Sequence, residues 1–261
     1  MVALQRQSRL SQLFASVRFK RMAVQIHISY DILFSAPLPR YDYLINPANE
    51  ALIGTRQPYF PIGGPVPPMI RPDKALSSSR WGGMDAGENM MYGVQVLDGC
   101  VHDECGPQLL AYLQSLPSQG VDASGQTIRC PEGSAICSPS FGSLVPYFGN
   151  IIHTVAPFQS DPAWEKKLES CYLNAFGLAW PPSRQNTGFT VSTPLVGAGC
   201  RGITVENAAR VAAFACRKYN QLLESTSAAV LQDNEVPSLH FVLREDEHCQ
   251  TLHNHLTTSA I

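Results

Sequence analysis

The chain has 261 residues and a mass of 28.5 kDa, with a formal net charge of -2. With 44% hydrophobic and 15% charged residues, the composition excludes a disordered chain and predicts a full hydrophobic core. No apolar run approaches the ~18 residues of a membrane helix, which excludes a spanning protein. The near-neutral charge argues against sequence-independent binding of nucleic acid, which needs a basic surface. We expect a monomer without a membrane partner.

The N-terminal segment, residues 1–22, is basic, contains several serines and has no acidic residue. Four apolar residues at the spacing i, i+3, i+4 and i+7 predict one face of an amphipathic helix: Leu10, Leu13, Phe14 and Val17. This composition is typical of an organelle transit peptide, and the alternative is a surface helix or basic tail of the fold. A mitochondrial and a cytoplasmic location therefore both stay open.

From residue 23 onwards, short apolar runs alternate with helical patterns. Strands are predicted at 23–28, 43–45, 133–137, 150–155, 189–193 and 239–243. Helices are predicted at 97–116, 161–178, 205–224 and 245–256, and the helix at 205–224 has an apolar stripe formed by Ala208, Val211, Ala212, Ala215, Tyr219 and Leu222. This alternation predicts an α/β protein, a three-layer α/β/α sandwich with a mixed, mostly parallel sheet. A Pro- and Gly-rich stretch at about 54–93 is interpreted as a surface insertion within one domain, residues 23–261.

The eight cysteines are scattered along the chain, and none forms a CxxC pair. Cys100 and Cys105 bracket His102 without the further ligands that a closed zinc site needs, and the histidines near the C-terminus lack matched spacing. We therefore predict free thiols and no metal.

Two loops that follow predicted strands have the composition of ligand-binding loops. Residues 46–49, Asn-Pro-Ala-Asn, follow the second strand, and residues 192–199 connect a strand to the long helix. In a parallel sheet such loops converge at the carboxyl ends of the strands, and their glycines let the backbone approach a phosphate. The alternative for the second loop is a tight turn between strand and helix.

Several landmarks in chain order resemble the macro domain family over about residues 24–257. They are Asp31-Ile32, residues 42–49 ending in Asn46-Pro47-Ala48-Asn49, the run Asp98-Gly99-Cys100-Val101-His102, the run Ile151-Ile152-His153-Thr154-Val155, and the loop 192–199. The Asn-x-Ala-Asn loop and the Asp-Gly-x-x-His helix start resemble the MacroD-type branch. Its members bind ADP-ribose and hydrolyse ADP-ribose from acidic side chains.

The resemblance implies roles for residues at matching positions. Asp31 would accept the adenine amino group, with Ile32 packing beside that base. Asn49 would hold the distal ribose, and Asp98 would be the acidic residue beside that sugar, so these two are the candidate catalytic residues. The diphosphate loop would be formed by Leu195, Val196, Gly197 and Ala198. The other candidate substrate-binding residues are Asn46, Ala48, Val96, Ser192, Pro194 and Arg244, whose guanidinium can stack on a base.

The chemistry of the side chains agrees with these roles. An ionised Asp31 is acceptor-only, and Asp98 can orient or deprotonate a water molecule. Each residue also has a structural alternative, because aspartates and asparagines commonly cap helices and turns. A second glycine-glycine-apolar-aspartate string places Asp85 in competition with Asp98. We prefer Asp98 because the predicted helix begins there.

The resemblance implies a hydrolase that removes mono-ADP-ribose from acidic side chains, needs no cofactor and has ADP-ribosylated proteins as partners. Nucleic acid would be a partner only as an ADP-ribosylated substrate. Deacetylation of O-acetyl-ADP-ribose is an expected side activity. The alternatives are a non-catalytic reader of ADP-ribose and a phosphatase acting on ADP-ribose 1''-phosphate in the same pocket.

Overall fold

The computed structural model describes residues 11–29, 31–34, 38, 40–55, 96–122, 125–181, 188–199, 201–226 and 236–258. Nearly all of the predicted insertion, including Asp85, lies outside these ranges, as does Cys200. No helix within them is long and apolar enough to cross a membrane. The seven described cysteines are free thiols.

The described residues form nine strands, five α-helices and a short 3-10 helix at Gly142–Leu144. The strands are β1 Gln12–Arg18, β2 Ala23–Ile28, β3 Tyr41–Pro47, β4 Gly120–Val121, β5 Thr127–Ile128, β6 Ala135–Pro139, β7 Phe148–Thr154, β8 Thr190–Thr193 and β9 Ser238–Leu243. The helices are α1 Leu97–Cys105, α2 Pro107–Ser115, α3 Trp164–Ala179, α4 Val205–Thr226 and α5 Asp246–Thr257.

Seven strands form one sheet in the order β1-β2-β9-β8-β3-β7-β6. The five central strands are parallel, while β1 and β6 run antiparallel at the two edges. The remaining strands, β4 and β5, pair as a separate antiparallel hairpin. The prediction of a mixed, mostly parallel sheet is confirmed.

The sheet is covered on both faces because neighbouring strand residues point to opposite sides. In β3, Ile45 belongs to a hydrophobic cluster with residues of α3, α4 and α5, whereas Leu44 belongs to a second cluster with residues of α1 and α2. Large buried side chains such as Trp180 and Phe176 lie in the first cluster, and each contributes about 1.5–3 kcal/mol through burial. The predicted three-layer α/β/α sandwich is therefore confirmed.

The helix predicted near the N-terminus is wrong, because residues 12–18 form the edge strand β1. A bulge shifts the register between Leu13 and Ala15. The bulge places an extra residue in the strand, so Phe14, Ala15 and Val17 all pack against the first cluster although their spacing is irregular for a strand. Part of the basic segment is thus built into the sheet.

Three further predictions need correction within the helices. The helix expected at 97–116 is two helices, because it breaks at Gly106 and restarts at Pro107, whose missing amide suits a first helical position. Asp161 is not the N-cap of α3; Ala163 holds that place, although the Asp161 carboxylate accepts the Ala163 amide at 2.7 Å. In α4 the stripe ends on buried Leu223, while Leu222 is exposed.

Candidate functional site

The carboxyl ends of the parallel strands bring the predicted ligand loops to one edge of the sheet. Residues 46–49 follow or end β3, the loop at 194–199 follows β8, and Arg244 follows β9 directly. β2 pairs with β9 in parallel, so Asp31 and Arg244 come after neighbouring strands. Loops at the carboxyl edge of a parallel sheet are the usual ligand site of such folds.

Asp98 is the centre of a buried hydrogen-bond network at this edge. It lies in the first turn of α1 and is 2% exposed. Its Oδ1 accepts a hydrogen bond from Asn46 Nδ2 at 2.8 Å. Its Oδ2 accepts hydrogen bonds from Thr55 Oγ1 at 2.9 Å and from Asn49 Nδ2 at 3.4 Å. Asp98 does not cap α1, because Val96 occupies the N-cap position.

Burial raises the pKa of the Asp98 carboxyl above its ordinary value of 3.8, because the charged form loses water. The nearby His102 and the hydrogen bonds from Asn46 and Thr55 lower that pKa. A carboxylate that is desolvated but held by several donors is a stronger base than an exposed aspartate and still has partners in its ionised form.

Hydrogen bonds made by its own side chains fix the conformation of the loop after β3. Asn49 Oδ1 accepts the Ile53 amide at 3.3 Å, and Asn49 Nδ2 also donates to Thr55 Oγ1 at 3.2 Å. Leu52, which is fully buried, has a φ of 55°, a left-handed conformation that costs about 1–2 kcal/mol for a non-glycine residue. The loop therefore keeps a strained shape that carries Asn49 and Thr55 to Asp98.

The His102 ring packs behind the Asp98 carboxylate. Its Nε2 lies 3.9 Å from Asp98 Oδ1, one helical turn along α1. Gly54, with a φ of 76°, passes directly over this ring, and a Cβ at position 54 would lie 2.7 Å from His102 Cγ. Only a glycine allows the backbone of the loop to approach the helix so closely.

The loop at 194–199 has part of its backbone amides already engaged. The Val196 amide donates to Tyr172 Oη at 2.9 Å, and the Ala198 amide donates to the Leu195 carbonyl at 3.3 Å. Gly197 has a φ of 85°, and its amide has no acceptor among the described residues. The Gly197 amide is therefore available to donate a hydrogen bond to an anion. The Val196 amide is not, because it already donates to Tyr172.

Asp31 caps a turn after β2, and both Asp31 and Arg244 act electrostatically on the Cys100 thiol of α1. Asp31 Oδ1 accepts the amides of Leu33 at 3.0 Å and Phe34 at 3.2 Å, so this oxygen caps a turn. Burial raises the pKa of Cys100, the carboxylates of Asp103 and Asp31 raise it further, and Arg244 lowers it.

The other predicted ligand residues fall in different places. Ala48 is buried beside the loop, and its carbonyl accepts Arg201 Nη2 at 3.5 Å. Ile32 packs against the second hydrophobic cluster, and Pro194 follows the end of β8. Ser192 lies inside β8, beside Leu44 of β3, so it belongs to the sheet and not to the loop.

Three contacts at the site have no signal in the sequence. Thr55 falls in the predicted insertion, and no pattern in the sequence marks it as a partner of Asp98. The hydroxyl of Tyr172 comes from the interior face of α3, where a tyrosine is expected to pack. Arg201 joins the two loops, with its guanidinium 4.3 Å from the centre of the Phe158 ring.

Comparisons with known proteins agree with this architecture. Residues 85–212 match the family model described as Macro domain. The macro domain-containing protein lmo2759 of Listeria monocytogenes is 28% identical over 180 residues, covering 68% of this chain and 89% of that protein. The ADP-ribose glycohydrolase MACROD2 of Xenopus laevis is 27% identical over 139 residues, covering 52% of this chain and 29% of that protein.

Solved structures share the fold. The Oceanobacillus iheyensis macrodomain with ADP superposes with a TM-score of 0.58 at 20% identity, covering 94% of this chain and 95% of that chain. The Trypanosoma brucei macrodomain in complex with ADP gives a TM-score of 0.53 at 18% identity, covering 90% of this chain and 69% of that chain.

The sheet order, the helices on both faces and the loops gathered at one edge define an α/β/α domain of the macro type. Together with the match of the family model over residues 85–212, they make this chain similar to the macro domain family in both sequence and fold.

Proposed function

We propose that this macro domain binds ADP-ribose and, like the MacroD-type branch, hydrolyses mono-ADP-ribose esters of acidic side chains. The observation that carries the proposal is the buried Asp98 carboxylate, held by Asn46, Asn49 and Thr55 at the edge where the ligand loops meet. The name of the Xenopus relative, an ADP-ribose glycohydrolase, and the ADP in the neighbouring structures support the same chemistry.

In the proposed pose, the ligand runs along the edge of the sheet. The adenine lies near Asp31, whose second carboxylate oxygen is left to accept the amino group because Oδ1 caps the turn. The diphosphate lies at the loop 194–199, where the Gly197 amide is open. The distal ribose then reaches Asn49 and Asp98.

The hydrolytic step uses Asp98 as a general base. Asp98 takes a proton from a water molecule while the water oxygen bonds to the anomeric carbon, and the bond from that carbon to the side-chain carboxylate breaks. The products are free ADP-ribose and the unmodified carboxylate, and Asp98 returns its proton to solvent. General-base assistance of this kind is typically worth ~10²–10⁴-fold. With O-acetyl-ADP-ribose, the water activated by Asp98 would instead bond to the ester carbonyl carbon, and the bond from that carbon to the ribose oxygen would break to give acetate and ADP-ribose.

The binding half of the proposal is tested by titrating ADP-ribose into wild type and Asp31→Asn. The amide oxygen of the variant can still cap the turn, whereas its nitrogen replaces the acceptor for adenine. We expect unchanged thermal stability and roughly tenfold weaker binding, as for the loss of one hydrogen bond to a charged group. Equal affinity in the two proteins contradicts the adenine assignment.

The catalytic half is tested by incubating wild type with a glutamate-modified protein and measuring the free ADP-ribose released. Multiple turnover supports the hydrolase. Binding of ADP-ribose without turnover identifies a reader instead, and absence of binding rejects the ligand altogether.

A further inference from the structure

Asn46 links the Asp98 carboxylate to the buried ring of His153. It is completely buried at the carboxyl end of β3. One hydrogen of its Nδ2 is directed to Asp98 Oδ1 at 2.8 Å, and the same nitrogen lies 3.2 Å from His153 Nδ1. An amide nitrogen has two hydrogens, so these two acceptors use both of them.

The tautomer of the His153 ring follows from the hydrogen bond made by its Nε2 atom. His153 Nε2 lies 2.9 Å from Ser138 Oγ, and Ser138 Oγ donates its proton to the Pro139 carbonyl at 3.1 Å. Ser138 must then accept a hydrogen bond from Nε2, which carries the ring proton, so Nδ1 is left as an acceptor for Asn46. Complete burial lowers the pKa of His153 to about 3, which keeps the ring neutral.

This chain of donors fixes which way the Asn46 amide faces. With the nitrogen committed to Asp98 and His153, the carbonyl oxygen faces away from both. That oxygen, Asn46 Oδ1, is buried and has no hydrogen-bond partner in the described part of the chain. A buried acceptor left unpaired destabilises the fold, so its natural partner is a donor from a ligand or a bound water molecule.

We propose that His153 is a positioning residue that acts through Asn46, locking the amide so that its nitrogen holds Asp98 and its oxygen accepts a hydrogen bond from the substrate or the attacking water. The proposal rests on the hydrolase function proposed above. It assigns to His153 no contact with substrate and no proton transfer.

Two substitutions separate positioning from packing, because both remove the imidazole ring. In His153→Asn the amide oxygen can occupy the place of Nδ1 and still accept from Asn46. In His153→Gln the longer side chain reaches the place of Nε2, contacts Ser138 and leaves Asn46 without its acceptor. We expect kcat to fall at least tenfold in His153→Gln and less than threefold in His153→Asn, with KM and ADP-ribose affinity changed less than threefold in both.

The pH dependence of kcat gives a second readout that packing alone would not move. The Asn46 hydrogen bond favours the ionised form of Asp98, so its loss raises the pKa of that carboxyl. Because the ionised form is the base, the acid limb of the profile should shift to higher pH in His153→Gln and stay in place in His153→Asn. Equal losses of kcat in both variants, in proportion to lost thermal stability, would overturn the proposal.

A nitrogen NMR measurement on the wild type tests the inference without any turnover. The proposal predicts that His153 Nδ1 is unprotonated and Nε2 protonated from pH 5 to pH 8, with the Asn46 side-chain protons protected from exchange. A protonated Nδ1 would overturn it. Wild type that shows this tautomer but releases no ADP-ribose contradicts the proposed function and retains the Asn46 orientation, so the two failures are distinct.

Discussion

The Asp98 carboxylate shows how a single residue is tuned by two opposing effects. Burial favours the protonated acid, whereas the hydrogen bonds from Asn46, Asn49 and Thr55 favour the carboxylate. The resemblance predicts Asn46, Asn49 and Asp98 as residues of one site, whereas the hydrogen bonds that join them are seen only in the structure. Thr55 was not predicted, because its contact depends on the path of an irregular loop and not on a spacing along the chain.

Gly54 provides a test of how closely that loop must approach α1. Gly54→Ala places a Cβ 2.7 Å from His102 Cγ in a left-handed conformation. Gly125→Ala is the matched control, because Gly125 also has a positive φ, 80°, but a Cβ there meets nothing within 4 Å. We expect about 1–2 kcal/mol of destabilisation in the control from the backbone conformation, and about 1–3 kcal/mol more in Gly54→Ala from overpacking. Urea denaturation measures both, and equal losses would show that the close contact is unimportant.

At the scale of elements, the N-terminal strand shows why apolar spacing alone does not distinguish a helix from a bulged strand. Phe14 and Val17 are three residues apart, the spacing of a helix face, but a bulge in β1 produces the same spacing in a strand. The break between α1 and α2 is easier to predict from the sequence, since a glycine followed by a proline, Gly106-Pro107, is typical of the end of one helix and the start of the next. The strands at the centre of the sheet were predicted well because they are short, apolar and flanked by polar loops.

The strand assignment of β1 predicts effects of different size for two adjacent positions. Val17 is half-buried against the first hydrophobic cluster, whereas Ser16 is exposed. Val17→Asp should lower the free energy of unfolding by about 2 kcal/mol or more, because it brings a charge against apolar side chains. Ser16→Asp should change it by less than about 1 kcal/mol. Thermal or chemical denaturation measures the free energy of unfolding of both variants. Equal losses in the two variants would mean that β1 is not packed on the sheet.

At the scale of the whole molecule, three buried histidines are kept neutral by desolvation. Burial lowers the pKa of His27 to about 4, of His240 to about 3 and of His153 to about 3. The rings of His27 and His240 also stack, with centroids 5.1 Å apart. Their burial follows from the three-dimensional sheet, and no local pattern in the sequence predicted the pair.

These histidines predict a loss of stability in mild acid. Each binds a proton in the unfolded chain below about pH 6.5 but stays neutral in the folded protein until near its lowered pKa. Stability therefore falls as pH drops from about 6.5 towards 4, and at pH 5 each histidine destabilises the fold by roughly 2 kcal/mol relative to pH 8. Urea denaturation at pH 8 and pH 5 measures the difference, with His27→Gln expected to show a smaller one. A free energy of unfolding that is the same at both pH values would contradict this account.

The measurement that bears most directly on the central claim compares Asp98→Ala with Asp85→Ala. Release of ADP-ribose from a glutamate-modified protein is followed for both variants and for wild type, with ADP-ribose affinity measured in parallel. We predict a loss of ~10²–10⁴-fold in turnover for Asp98→Ala with affinity kept, and wild-type turnover for Asp85→Ala. Full turnover by Asp98→Ala, or loss of turnover in Asp85→Ala alone, would contradict the assignment of Asp98 as the base.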